Sequence, residues 1–80
     1  NVTYLMSAKA DIAESIPKEN SRITQKPVYE LGLPQGMTIG GLVRNGVGML
    51  VSGNTQIMAG DTVMVFCHNI NMKKIEKFFI

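Results

Sequence analysis

Eighty residues suffice for one domain and no more, since a core needs roughly 50 residues and divides only in much longer chains. A net charge of +2 from scattered lysines and arginines lacks the concentrated basic face of a nucleic-acid binder, and no apolar stretch approaches the ~20 residues of a membrane-crossing helix. The charged share is 18%, below the usual ~25%, which suggests that something covers part of the surface.

The chain starts at Asn1 without an initiator methionine and no signal peptide is visible. It therefore reads as a piece of a larger protein. Residues 1–9 are expected to end a preceding linker or domain, and residues 10–80 to form the domain proper. Ala8 to Ile16 alternates and predicts a strand, with Ala10, Ile12 and Ile16 on its apolar face. Glu14 falls in phase with them. It is either an edge position reaching solvent or a paired carboxylate at a subunit contact or ligand site. Pro17 closes the strand, because it lacks the N–H that a ladder needs.

Lys18 to Gln25 is polar and predicts a loop. Pro27 to Leu31 predicts a short helix, with Gly32 and Pro34 ending it. Leu31 and Leu33 are expected to pin this turn to the core. Met37 to Arg44 and Val47 to Ser52 predict a hairpin about Asn45-Gly46, whose two residues suit the positive φ of a type I′ turn. Gly40, Gly41 and Gly48 interrupt its strands. They mark either a bulge or the close approach of a ligand or partner backbone.

Gly53-Asn54 and Ala59-Gly60-Asp61 predict two further turns. Thr62 to Cys67 is apolar on both faces, as in a central strand covered on both sides. Eighty residues offer little for the second cover, so a dimer is expected. A C-terminal helix follows, capped by Asn69 or Asn71. Met72, Ile75, Phe78 and Phe79 form its apolar stripe.

Catalysis has little to work with. Cys67 reads as a small buried hydrophobe. The one histidine, His68, adjoins it on a strand, so the two side chains point to opposite faces. One Cys and one His do not make a metal site. If an anion binds, Arg44 is the candidate, since a guanidinium holds a phosphate bidentately. Its other reading is a solvated strand end. Asn45 beside it is first a turn residue, and Ile39 and Gly40 would supply an apolar wall and a bare backbone.

Three segments then stand at a telling mutual spacing: Glu30-Leu31-Gly32-Leu33-Pro34-Gln35-Gly36, the hairpin Met37 to Gly46, and Ala59-Gly60-Asp61 before the apolar strand Thr62 to Phe66. Over about residues 10 to 79 the chain resembles the C-terminal domain of TrkA-like RCK (regulator of K+ conductance) proteins. The resemblance implies an α+β fold, a small β-rich pseudo-barrel or sheet. It implies a homodimer and a non-enzymatic regulatory role at a potassium-uptake pore, in the cytoplasm against the inner face of the membrane, through a transporter partner. It implies no cofactor in this fragment; a nucleotide belongs to a Rossmann-like half, and no G-x-G-x-x-G occurs here. Some relatives bind cyclic di-AMP between two such domains, and the strand from Ile39 to Asn45 would contribute contacts, with Ile39, Gly40, Arg44 and Asn45 as the candidate residues. Two alternatives stay open: the same sensor in an anion or amino-acid carrier, and a ligand-free dimerisation module.

Overall fold

Residues 2–6 and 11–80 are described by the structure, a computed structural model. Five strands form one antiparallel sheet: β1 (Val2–Met6), β2 (Asp11–Ser15), β3 (Met37–Arg44), β4 (Val47–Leu50) and β5 (Thr62–Cys67). Their spatial order is β1-β2-β5-β3-β4. The expected α+β fold is present, as an open sheet whose edges are β1 and β4. Part of the strand predicted from Ala8 falls on residues 7–10, outside the described residues.

Local chemistry explains the connections. Asn45 (φ 52) and Gly46 (φ 77) take the left-handed conformations that the two-residue hairpin needs. Pro27 to Leu31 turns only as a 3₁₀ helix (Val28–Glu30) rather than an α-helix, and Arg22–Thr24 forms another within the predicted loop. Each spans three residues, the usual length for this tighter helix. Helix α1 (Met72–Glu76) is capped by Asn71, whose Oδ1 accepts from the Lys73 N–H at 2.8 Å. Asn69 instead sits in a turn with φ 51.

One face of the sheet carries the core. Ala13, Met37, Ile39, Leu42, Val63, Val65 and Cys67 point inward, and Ile23, Leu31, Ile57, Ile75, Phe78 and Phe79 cover them. Leu31 is buried, Leu33 partly so, and the α1 stripe packs as expected. Backbone bonds sew this cover together: the Lys18 and Ile23 N–H groups donate to the carbonyls of Phe79 and Phe78, each at 2.9 Å.

Ile12 and Ile16 share a face of the strand, as expected, but it is the outer one. Ala13 and Ser15 are buried, whereas Ile12 and Ile16 are exposed. β2 lies between β1 and β5, so Glu14 is half-buried on an interior strand and not at an edge. The physical reason is the cover: Ala13 joins Ile75, Phe78 and Phe79 in one cluster, and small residues suit a place where the cover supplies the bulk.

Candidate functional site

The uncovered face of the sheet is apolar. Ile12 and Phe66 sit opposite each other across β2 and β5, and Met64 faces Glu14 one step along. All three apolar side chains are more than a third exposed. β5 is thus central, as expected, but among the described residues it is covered on one side alone.

A groove of about 460 Å³ crosses this face, with Gly40 and Gly41 on its floor and Met64, Phe66, Met49 and Leu50 around them. The floor is a bulge, since the register between β3 and β5 slips between Ile39 and Gly41. Glycine is required here by crowding. A Cβ on Gly40 would overlap the Phe66 ring, and one on Gly41 would stand 2.9 Å from the Met49 carbonyl oxygen. The bulge reading of Gly40 and Gly41 holds, and the atoms that crowd them belong to this same chain.

Edge strand β4 has every residue exposed, Leu50 at 91%. Natural edge strands are usually guarded by charge or proline. Val47, Gly48, Met49 and Leu50 carry neither.

Arg44 is half-buried at the end of β3 and already engaged. Its Nε and Nη2 donate to the two carboxylate oxygens of Asp61 at 2.8 and 2.7 Å, and Nη2 also reaches the Gln56 carbonyl at 3.0 Å. Asp61 is 2% exposed and accepts a further bond from the Met58 N–H at 2.8 Å. The guanidinium holds the Asp61 carboxyl below the usual carboxylate range, with Met58 assisting and burial opposing. The same bond raises the Arg44 pKa. This clamp ties the end of β3 to the turn before β5.

The four candidate residues do not converge. Ile39 is buried in the core, on the face opposite the groove. Gly40 lies in the apolar groove. Arg44 and Asn45 border a separate recess of about 260 Å³ beside Asp61. Pairing of Arg44 with Asp61, seventeen residues apart, carried no local signal. Cys67 is buried, and burial, with Asp11 nearby, pushes its thiol pKa up, away from a reactive thiolate. His68 is exposed beyond it. Among the described residues no group of three or more His, Cys, Asp or Glu stands close enough to hold a metal, and no helix is long and apolar enough to cross a membrane.

All of the sheet but β1, with the hairpin and the short capped helix, falls within a known domain: the family model of the TrkA-C domain matches residues 12–80. The chain belongs to the TrkA-C family. It is 35% identical over 78 residues to the "Trk system potassium uptake protein TrkA" of Azorhizobium caulinodans. It is 30% identical over 78 residues to "Trk system potassium uptake protein TrkA homolog 1" of Methanosarcina mazei. Each alignment covers 98% of this chain but 17% of the relative. This TrkA-C domain thus spans about one sixth of the length of the curated relatives it matches.

Proposed function

We propose that this TrkA-C domain is the regulatory, dimerising part of a cytoplasmic subunit that gates a potassium-uptake system. The names of its relatives support the system and a regulatory rather than an enzymatic role. A single observation carries the pairing: the sheet face bearing Ile12, Met64 and Phe66, continued by Leu50, has no cover among the described residues. A second copy is the natural occupant. A contiguous exposed apolar patch marks an interface, and pairing would bury the groove between two copies.

A ligand held in that shared crevice acts on the gate only through its different affinity for two arrangements of the pair. Such couplings are typically about 1–3 kcal/mol. A cyclic dinucleotide is the ligand to test first. The engaged Arg44 favours a second reading, a dimerisation module without a ligand, because the cation expected to hold a phosphate already serves Asp61.

Sedimentation velocity and a thermal-shift panel test both. Dimers at micromolar concentration with saturable stabilisation by cyclic di-AMP support the sensor. Dimers that no nucleotide stabilises support the ligand-free module. A monomer at high micromolar concentration defeats the pairing itself.

A further inference from the structure

A further recess shares no residue with the groove or with the recess beside Asp61. It measures about 190 Å³ and is lined by Arg22, Gly32, Pro34, Lys74, Lys77 and Phe78. Three of its six walls are cations and none is an acid. Among the described residues the one side-chain ion pair is Arg44–Asp61, so no carboxylate there lies within 4 Å of Arg22, Lys74 or Lys77. Glu30 and Glu76, close by in sequence, do not line the recess.

Arg22 is placed rather than loose. Its guanidinium carbon stands 4.3 Å from the centroid of the Phe78 ring, which is 3% exposed and therefore fixed. Nη2 also leans on the Leu31 carbonyl at 3.4 Å. The ring contact holds the guanidinium in place and leaves most of its N–H donors unused. Lys74 and Lys77 are three positions apart at the end of α1, so they share a side. An anion in the recess would meet three cations that no carboxylate offsets.

We propose that this recess binds a terminal phosphate group. A carboxylate would offset one of the three charges. A phosphate monoester or diphosphate offsets nearly two or more, and its oxygens match an arginine fork. The volume takes a phosphate but falls short of the ~300 Å³ at which whole-ligand pockets begin. The rest of the ligand therefore stays outside. Two sources share this chemistry, a free phosphorylated molecule and the headgroup of a phospholipid with a terminal phosphate.

The test is a titration of the 15N-labelled protein with sodium pyrophosphate at constant ionic strength, beside co-sedimentation with phosphatidylcholine vesicles with and without phosphatidic acid. A free source gives saturable shifts at the Arg22 Nε–H and the amides of Gly32, Lys74 and Lys77. A headgroup source gives binding to the phosphatidic acid vesicles alone. In either case Arg22→Gln or Lys77→Gln weakens binding about tenfold, and Arg22→Lys, which keeps charge but loses the fork, falls between. Lys77 is exposed, so its variant tests the site without disturbing the core. No saturable response in either arm, or a response that these variants leave unchanged, overturns the proposal. Its failure leaves the pairing of the sheet untouched.

Discussion

Arg44 and Asp61 differ in what each leaves behind when the other is removed. Without Asp61, the guanidinium turns to water, since its side chain is already 29% exposed. Without Arg44, a carboxylate that is 2% exposed keeps its charge in place with only the Met58 N–H for company. Arg44→Met should therefore destabilise more than Asp61→Asn, which retains an oxygen for Met58 and should cost about 1 kcal/mol. Equal losses in urea unfolding would contradict this asymmetry. The pH dependence follows from the same pair. Asp61 has its folded pKa depressed below the ordinary 3.8, so between those two values the unfolded chain binds the extra proton. The stabilisation is complete above the ordinary value and is lost as pH falls through the folded one. Measured between about pH 2 and 6, the native chain should lose stability along this slope and Asp61→Asn should lose less. None of this was legible in the sequence. It shows an arginine at a strand end and an aspartate in a turn, and only the sheet order brings them together.

The hairpin was legible because its signal is local. Asn45-Gly46 fixes the turn, and the turn fixes the pairing of Arg44 with Val47. Within it, Gly41 and Gly48 look alike in sequence and differ in space. A Cβ at Gly41 would meet the Met49 carbonyl oxygen, a backbone atom that cannot swing aside, whereas one at Gly48 meets nothing within 4 Å. Gly41→Ala should cost about 1–3 kcal/mol through overpacking. Gly48→Ala should be neutral, or should stabilise by about 0.5 kcal/mol by restricting the unfolded chain. Thermal denaturation of the two variants checks the contrast, and similar midpoints would refute it. The face of β2 was misjudged for a reason of the same scale. Periodicity sorts residues into two faces but not which face is inside, and that choice usually follows bulk. Here the bulky Ile12 and Ile16 face outward and the small Ala13 and Ser15 face in. Glu14, sharing a face with the isoleucines, was the cue to the outward side.

At the scale of the whole molecule the sheet is apolar on both faces, and one face has no cover among the described residues. The low charge count and the doubly apolar strand Thr62 to Cys67 already pointed to this, because both are sums over many residues and survive errors in any one. Leu50 gives the sharpest test. It is 91% exposed, so the lone chain has almost nothing to lose there, and substitution at such a surface position usually changes stability by no more than about 0.5 kcal/mol. A dimer changes that. If two copies unfold together, the thermal midpoint rises with protein concentration, each tenfold increase adding about 1.4 kcal/mol per dimer. Leu50→Lys should then abolish the concentration dependence while leaving the dilute protein as stable as before. If the midpoint is independent of concentration in the unaltered chain, the uncovered face is open to solvent and the pairing is wrong. If Leu50→Lys destabilises the dilute monomer equally, Leu50 packs within its own chain and the exposure on which the pairing rests is misassigned.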